Sequence, residues 1–337
     1  MREVYPNIFL IKEKGTFGAI KPPENIYVLA GSDGIIFDAG YGTKKAVKHL
    51  ITEIKKIEKI YKEQHKQFKL TRIIVSHCHP DHFSGLKRIR EALGIKISLT
   101  KKSAEIIKDK NSFIKSFETD AYKDYMRVRK KLTRRIINVL RNVGSRLFYQ
   151  RIYGVSYIDN PEEIVDSNTE IIINGEVWQI FPSPGHAIDH ISLYNKEKGV
   201  LFSGDNILKS ITTWLGPPNC DLAEYVNSIK KIQKLSNLKL VLAAHGSPIE
   251  NPKDRIAEIL SHRKEREEQV LDIIHDNSTN GITPKDIIKA IYPQDSRFLH
   301  QVARGWIVLT LKMLEEKGLI KRQDTKREIL FFPVEKN

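Results

Sequence analysis

Three histidines and an aspartate stand close together near position 80. The segment reads Ser76-His77-Cys78-His79-Pro80-Asp81-His82 and directly follows the apolar run of residues 71–75, which is typical of a strand. Imidazole nitrogen and carboxylate oxygen are ligands that Zn²⁺ prefers in proteins. Because side chains alternate along an extended segment, His77 and His79 are expected to point the same way, and the turn at Pro80 presents the next two ligands beside them. This spacing predicts a metal site.

Three more candidate ligands stand at the ends of later apolar runs. They are His186 after a Pro-Gly turn, Asp205 after the run 201–204, and His245 after the run 240–244. An Asp or a His at one strand end is more often a turn or cap residue, so each of the three is a weak indication alone. Together with the first cluster they provide enough ligands for two tetrahedral or five-coordinate ions.

The combined pattern resembles that of the metallo-β-lactamase superfamily, beginning with Asp38-Ala39-Gly40 and covering about residues 5–260. The resemblance implies an α/β fold, an αβ/βα sandwich with the metal ions at one edge in loops at strand ends. It also implies the division of the ligands. One ion is held by His77, His79 and His186, the other by Asp81, His82 and His245, and Asp205 bridges both.

The chemistry that the resemblance implies is hydrolysis by a hydroxide that bridges two divalent ions. Paired ions lower the pKa of a bound water toward neutrality and polarise the substrate oxygen. Asp81 is expected to act twice, as a ligand and as the catalytic group that orients the hydroxide and carries its proton. The ligand set has no thiolate, and His79 stands where flavodiiron relatives have an acid. Both features favour Zn²⁺, with manganese and iron as the alternatives.

Asp205 also narrows the subclass that the resemblance implies. True β-lactamases of the superfamily lack an aspartate at this place, so β-lactam hydrolysis is not expected as the native role. Thioester hydrolases of the glyoxalase II type, lactonases and the ribonuclease branch have the full ligand set. The segments 184–190, 222–228 and 261–267 resemble those of β-lactamase-like endoribonucleases, which cut single-stranded RNA, but uncharacterised bacterial metallo-hydrolases share these segments too.

The chain of 337 residues is expected to contain a catalytic domain over 1–260 and a smaller domain over 261–337. The smaller domain has the order helix, helix, helix, hairpin of a winged helix. Its first helix is predicted from Arg263 to His275, with Thr283 as the N-cap of the second and Gly318 as the stop of the third. Within the catalytic domain, residues 103–150 form a helical insert. Its second arm is predicted from the three-to-four-residue spacing of apolar side chains between Tyr125 and Leu147.

The net charge of +15 is concentrated in this insert. Residues 101–151 contain fifteen Lys and Arg against five Asp and Glu, a net charge of +10, whereas residues 261–337 are only +2. A local basic surface is suited to following phosphates, but the weakly charged winged helix is not typical of a DNA-reading module. Instead of reading DNA, the winged helix can be interpreted in two other ways, as a wall of the substrate pocket or as a homodimer surface.

Two functions with different substrates follow. In the first, the enzyme is an endoribonuclease on single-stranded RNA, and the insert follows phosphates. In the second, it hydrolyses a small thioester or lactone, and the insert is a lid over an acyl chain. A third interpretation makes the insert a docking helix for an acidic partner or a membrane surface, and the simplest one makes it a solvated basic face.

The remaining expectations concern location and single residues. The absence of a signal-like start, of a spanning apolar stretch and of more than two cysteines predicts a cytoplasmic protein. Cys78 is interpreted as a packed thiol, and Trp214 either lines the substrate pocket or packs on the tail. Asp189 and His190 are expected to support the site without binding metal. His262 and Arg263 are expected to join the two domains.

Overall fold

The computed structural model describes residues 1–14, 22–117, 121–126, 149–166, 168–210, 212–293, 297–325 and 328–334. Two sheets face each other in the larger part of the chain, and helices cover their outer faces. A bundle of helices with a two-stranded hairpin follows. This is the α/β architecture that the sequence predicts.

The first sheet contains seven strands that lie side by side in chain order. The first four pair antiparallel, and the fourth to seventh pair parallel. The strands are β1 Arg2–Tyr5, β2 Ile8–Lys12, β3 Asn25–Leu29, β4 Gly34–Phe37, β5 Leu70–Ile74, β6 Lys96–Thr100 and β7 Glu163–Val165.

The second sheet contains five strands in the order β12-β11-β10-β9-β8. Strands β8 to β11 are antiparallel neighbours, and β12 pairs parallel with β11. Their bounds are β8 Glu170–Ile173, β9 Glu176–Pro182, β10 Ile191–Asn195, β11 Val200–Gly204 and β12 Leu240–Ala243. A parallel pair brings the two carboxyl ends to the same edge of the sheet, and this edge carries two of the predicted ligands.

Continuous apolar runs explain the layered core. In β2, Ile8 and Leu10 face the second sheet, whereas Phe9 and Ile11 face the helices on the outer side. Strands buried on both faces have no polar alternation, because both sets of side chains leave water. Between the sheets, Trp178 and Phe202 pack with their ring centroids 5.6 Å apart. Strand β1 is not predicted from the sequence because it is short, partly exposed and carries charged residues.

Helices cover both outer faces. Against the first sheet, α1 begins after Thr43, whose side chain accepts a hydrogen bond from the backbone N–H of Ala46. Strands of the second sheet are covered by α7 and the first half of α8. The helices are α1 Lys44–Glu63, α2 Pro80–Phe83, α3 Leu86–Leu93, α4 Lys101–Ile107, α5 Lys110–Ser116, α6 Ala121–Met126, α7 Leu222–Gln233, α8 Pro252–Asp276, α9 Pro284–Ile291 and α10 Arg297–Glu316.

Helix α8 belongs to both parts of the molecule. The sequence predicts a helix from Arg263 to His275, but the helix begins at Pro252 and crosses position 260 without interruption. Ile256 and Ile259 in its first half pack against the second sheet's helical layer, while Val270 and Ile274 in its second half lie in the core of the C-terminal bundle. The early start was missed because its first turns are polar on most faces.

The C-terminal bundle has the winged-helix order. Helix α9 is capped by Thr283, α10 is followed by Gly318 at φ +67°, and β13 Ile320–Asp324 pairs with β14 Ile329–Pro333. Helix α10 does not stand free of the catalytic part. Its Leu309 and Met313 are buried with side chains of α7, and Lys312 Nζ lies 3.3 Å from the Asp221 carboxylate at the start of that helix.

The insert predicted over 103–150 is described only near its ends. Its first part contains most of α4, then α5 and α6, and its last residues begin a π-helical turn, Tyr149–Tyr153. Beyond Met126, the basic helix predicted as far as Leu147 lies outside the described residues. Helix α6 docks on the winged helix, where Tyr125 donates a hydrogen bond of 2.7 Å to Glu315 and Met126 joins the apolar core.

Candidate metal centre

The seven predicted ligands meet at one edge of the sandwich. His77 and His79 follow β5, and the next two ligands, Asp81 and His82, lie on the short helix α2. Because β11 and β12 are parallel neighbours, Asp205 and His245 leave the second sheet together. His186 comes from the loop after β9. Two groups of ligand atoms result.

The first ligand group consists of His77, His79 and His186. With Asp205, one ligand atom from each lies within 4.8 Å of the others. His79 Nδ1 and His186 Nε2 are 3.0 Å apart, and His186 Nε2 is 3.4 Å from Asp205 Oδ2. Two ring nitrogens and a carboxylate oxygen at such separations converge on one point, as the ligands of a common ion do.

The second ligand group consists of Asp81, His82 and His245, whose ligand atoms also lie within 4.8 Å of one another. His245 Nε2 is 3.6 Å from Asp81 Oδ2, and His82 Nε2 is 3.8 Å from Asp81 Oδ1. Asp205 faces this group as well, with its oxygens 3.4 Å from His245 Nε2 and 3.7 Å from His82 Nε2. Its carboxylate therefore lies between the two groups.

Unpartnered polar atoms test whether these residues fit a cation. Within the part of the chain that the structure describes, His77 Nε2, His82 Nε2 and Asp205 Oδ1 are buried without a hydrogen-bond partner. Burying such atoms unpaired costs free energy, so native proteins normally satisfy them. A divalent cation between the groups would satisfy all three, and the nitrogen and oxygen donors suit zinc-like ions. The residues fit a pair of metal ions.

The opposite ring nitrogens have partners that orient the imidazoles. His77 Nδ1 is 3.0 Å from Ser76 Oγ, and His245 Nδ1 donates to the carbonyl oxygen of Pro23 at 2.8 Å. His186 Nδ1 lies 2.9 Å from the carbonyl oxygen of Trp214. Metal-binding histidines almost always use their second nitrogen in this way, since it fixes the tautomer and the ring orientation.

His82 is oriented by two carboxylates. Its Nδ1 lies 3.0 Å from Glu24 Oε1 and 3.3 Å from Asp38 Oδ2. Asp38 is held at φ +66°, in the left-handed region, and its carboxylate accepts from the backbone N–H and the hydroxyl of Ser76. A non-glycine residue in that region is uncommon and clusters at functional sites.

Several residues of the site were missed by the sequence interpretation. Glu24, Thr213 and Pro23 contact ligands, but they come from loops distant in sequence and carry no local motif. The acid Glu24, two residues before the apolar run 26–30, was the one available signal, because a carboxylate buried beside such a strand needs a partner. Asn25 also contributes, donating its side-chain amide to the Ala243 and Gly246 carbonyls on both sides of His245.

Close packing explains the glycines before two ligands. A Cβ on Gly185, which has φ +129°, would lie 2.2 Å from the Tyr225 backbone, and a Cβ on Gly204 would lie 2.5 Å from His190 Nε2. Both turns are therefore open only to glycine. His190 accepts from the backbone N–H of Asp205 at 3.2 Å and is absent from both ligand groups.

Charge differs between the two groups. Burial lowers the pKa of His77 far below its usual value and that of His79 to about 3. Burial also opposes charge on His245, but the carboxylates of Asp205 and Asp81 outweigh it and raise the pKa of His245 to about 10. His82 behaves likewise, because Glu24 and Asp38 raise its pKa against burial. The second group is thus set in a more anionic environment.

Apolar side chains lie beside the ligands. Ile188, two residues after His186, is 38% exposed, and Trp214 is 48% exposed although its carbonyl oxygen lies 2.9 Å from His186 Nδ1. The Phe117 ring centroid is 6.2 Å from that of His79. Cys78 points away from the ligands into the core and donates to the Ser103 carbonyl oxygen, as its interpretation as a packed thiol predicts.

Comparisons with known proteins agree with this geometry. Beta-lactamase-like protein 2 homologs of Caenorhabditis elegans and Drosophila melanogaster are both 30% identical, over 157 and 154 residues, which are 47% and 46% of this chain and 51% of each relative. An atrochrysone carboxyl ACP thioesterase of Aspergillus fumigatus is 30% identical over 150 residues, 42% of this chain and 46% of that protein. The chain spans about half the length of these curated relatives.

Solved structures share the fold over nearly the whole chain. A metallo-β-lactamase family protein of Thermus thermophilus has a TM-score of 0.73 at 19% identity, covering 98% of this chain and 100% of that one. A β-lactamase domain protein of Burkholderia ambifaria has a TM-score of 0.75 at 19% identity, covering 99% and 93%. Among the described residues, no helix has the length and apolar character to cross a bilayer.

Family comparisons cover both parts of the chain. Residues 21–245, which contain all seven predicted ligands, match the metallo-β-lactamase superfamily, and residues 283–327 match the β-lactamase-associated winged helix domain. The chain therefore belongs to the metallo-β-lactamase superfamily and carries the winged-helix domain associated with it.

Proposed function

We propose that this protein is a metal-dependent hydrolase that cleaves a thioester or a similarly activated ester with an apolar acyl group. The observation that carries the hydrolytic part is the convergence of the two ligand groups on Asp205, with three buried ligand atoms that lack a partner among the described residues. Divalent ions bound there would supply a water of lowered pKa and polarise the carbonyl oxygen. The residues around them have separate roles.

Asp81 is the residue placed to move a proton. Its side chain is 17% exposed, more than those of Asp205 or His245, so it stands on the open side of the centre. Burial raises the pKa of this carboxyl, but His82 and His245 outweigh it and lower the pKa to about 2, so Asp81 is ionised at neutral pH. An ionised carboxylate at the open side can accept a hydrogen bond from the attacking water and orient it, and it would take up the proton once bound ions had lowered the pKa of that water.

Apolar side chains favour an acyl substrate. The Phe117 ring lies beside that of His79, the exposed Trp214 contacts His186 through its carbonyl oxygen, and Ile188 is exposed two residues after His186. We infer that these three side chains offer an apolar wall to the group that the scissile carbonyl carries. One relative is named as an acyl carrier protein thioesterase, which agrees with this substrate class. A lactone contains an ester carbonyl that the same attack would open, so lactone hydrolysis belongs to the proposed activity. Zinc is the proposed metal, because the site contains only nitrogen and oxygen ligands and five of the seven are imidazoles.

Cleavage of single-stranded RNA is the second candidate. The +10 charge of residues 101–151 favours it, since basic segments neutralise phosphates. The position of α10 argues against a nucleic-acid role for the winged helix. In DNA-binding domains of the helix-turn-helix type, the recognition helix enters the major groove. Here α10 buries Leu309 and Met313 against the catalytic part, and Arg322 of the hairpin holds the Tyr125 ring at 5.2 Å.

A substrate panel separates the candidates. The zinc-loaded protein is assayed with the acetyl and hexanoyl thioesters of N-acetylcysteamine, a glutathione thioester, a lactone, single-stranded RNA and a β-lactam, each with and without a chelator. We expect chelator-sensitive thioester cleavage that is faster for hexanoyl than for acetyl. RNA cleavage without thioester cleavage would contradict the proposed activity and favour the second candidate, cleavage of single-stranded RNA.

Two variants test the apolar wall. Trp214→Ala is expected to lower kcat/KM for the hexanoyl thioester about tenfold, and to affect the acetyl thioester much less, because an apolar contact of this size contributes about 1–3 kcal/mol. Ile172→Ala is the matched control, since Ile172 is exposed on β8 rather than beside a ligand. Equal losses for both thioesters would contradict an acyl-binding role for Trp214.

A further inference from the structure

A side chain from the shared helix α8 reaches the loop behind the first ligand group. We name residues 206–210 and 212–221, which lie between β11 and α7, the backing loop. Arg263 is buried, and its Nη2 donates a 3.0 Å hydrogen bond to the carbonyl oxygen of Thr213 in the backing loop. Its guanidinium also lies 5.4 Å from the centre of the Tyr225 ring. Arg263 therefore does more than join two domains.

The same part of the backing loop orients His186. The ring Nδ1 of His186 lies 2.9 Å from the Trp214 carbonyl oxygen and 3.0 Å from Thr213 Oγ1. A carbonyl oxygen can only accept, so Nδ1 must carry the proton and Nε2 must present its lone pair. That Nε2 is the atom 3.4 Å from Asp205 Oδ2. The position of two neighbouring backing-loop residues thus decides which nitrogen of His186 faces the metal position.

Helix α8 holds the backing loop at a second point. Arg255, two turns before Arg263, donates from its Nε to the Leu208 carbonyl oxygen at 2.7 Å. The backing loop begins directly after the ligand Asp205 and contains the residues that orient the ligand His186. Cys220 near its end also donates, from its thiol, to the His186 carbonyl oxygen. The loop is therefore positioned by a helix whose other half lies in the winged-helix core.

We propose that Arg263 is a positioning residue for His186, and that through it the helix of the winged-helix domain sets the affinity of the first ligand group for its ion. This rests on the proposed function, because it requires a metal at that group. The winged helix then contributes to the enzyme as a fixed support of the metal centre. Support of this indirect kind typically changes metal affinity about 10–100-fold.

Arg266 provides a matched control on the same helix. Its guanidinium lies 5.7 Å from the ring centres of both Tyr292 and Trp306, which belong to the winged-helix bundle. Replacing either arginine by Met keeps an unbranched apolar stem and removes the donors. Both variants should therefore disturb α8 to a similar degree, but only the Arg263 variant releases Thr213.

The experiment measures metal binding without substrate. The metal-free wild type, Arg263→Met, Arg263→Lys and Arg266→Met are titrated with Co²⁺, followed by its visible absorption and by competition with a chelator, and circular dichroism records folding. We expect two equivalents in the wild type. In Arg263→Met one equivalent should bind about 10–100-fold more weakly while the other is unchanged. Arg263→Lys, which keeps one donor for Thr213, should recover part of the loss, and Arg266→Met should match the wild type.

A second readout concerns the tautomer itself. Long-range ¹⁵N–¹H correlation of the imidazoles should show a single tautomer for His186, protonated at Nδ1, in the wild type and a mixture in Arg263→Met. Equal Co²⁺ affinities in Arg263→Met and the wild type would overturn the proposal, as would an equal weakening in Arg266→Met. If the wild type itself binds no Co²⁺, the proposed function fails before this inference is reached. The two failures are therefore distinguishable.

Discussion

The two ligand groups differ in what orients their imidazoles. In the first group, the outer nitrogens of His77 and His186 face neutral oxygens, from Ser76 and from the backing loop. In the second group, His82 faces the carboxylates of Glu24 and Asp38. In the first group, His77 and His186 are therefore oriented by contacts with neutral oxygens, whereas in the second group His82 is also held by negative charge. Because the supports come from different loops, each group can be weakened without the other.

The difference also explains the opposite pKa shifts. Burial, with the neighbouring imidazoles, outweighs the carboxylates nearby and keeps His77 and His79 neutral, whereas around His82 and His245 the carboxylates outweigh burial and keep both protonated when no cation is present. Two divalent ions would replace those protons with positive charge that the same carboxylates stabilise. The variants below test whether the groups behave as two separately supported sites that share Asp205.

Removal of the shared carboxylate should have the largest effect. Asp205→Ala takes away the oxygens that lie 3.4 Å from both His186 and His245, so both equivalents of metal should be lost. Hydrolysis should fall by about 10³-fold or more, because metal ions contribute several kcal/mol to stabilising the transition state. Metal analysis by mass spectrometry and the thioester assay check this. Retention of two equivalents would show that Asp205 is not shared.

Removal of one ligand from each group should separate the sites. His186→Ala is expected to leave one equivalent of metal, held by the second group, and His245→Ala one equivalent held by the first. Co²⁺ absorption spectra should then differ between the two variants, since the remaining ligand sets differ. Both variants should lose most of the activity. Identical spectra, or loss of both ions from each variant, would mean that the groups form a single cooperative site.

Removal of charge from a support should have a smaller effect confined to one ion. Burial raises the pKa of Glu24, and the positive charge beside it at His82 opposes that rise. Glu24→Gln keeps the shape beside His82 but removes the carboxylate, so the ion of the second group should bind about 10–100-fold more weakly. Glu53→Gln is the matched control. Glu53, on α1, is also buried, but it pairs with Lys56 and with the N-terminal ammonium rather than with a ligand. Chelator competition measures both. Weakening of the first group's ion by Glu24→Gln would contradict the separate supports.

The smallest effect is expected from a substitution within segment 76–82 whose side chain points away from the ligands. Cys78→Ala leaves every ligand in place and removes one thiol that packs in the core and donates to Ser103. Unfolding free energy should fall by about 1 kcal/mol, as is usual for a small buried deletion, and metal content should stay at two equivalents. Denaturant unfolding and metal analysis give the two quantities. A loss of metal would place Cys78 in the centre after all.

The sequence predicted most of the framework because its strands are continuous apolar runs. Runs such as Gly34–Phe37 and Val200–Gly204 are buried on both faces, so composition alone marks them. The ligands of α2 were predictable because they stand together in the chain. His186, Asp205 and His245 were convincing only as a set, since only the sheet pairing of β11 with β12 brings two of them together.

Other features could not be predicted from the sequence, because they depend on tertiary contacts. The support of His82 by Glu24 joins residues 58 positions apart, and the support of His245 by Pro23 joins residues 222 positions apart. The start of α8 was hidden because its first turns are mostly polar. The burial of α10 against α7 was equally hidden, since an amphipathic helix does not reveal which surface covers it.

Metal content of the purified wild type tests the central claim most directly. The protein is freed of loosely bound ions, analysed for metals, stripped with a chelator and reloaded with Zn²⁺, with thioester hydrolysis measured at each stage. The account predicts two equivalents of divalent metal per chain, activity that disappears on stripping, and recovery on reloading. Full activity in the stripped protein, or a reloaded protein that takes up no metal, would contradict it.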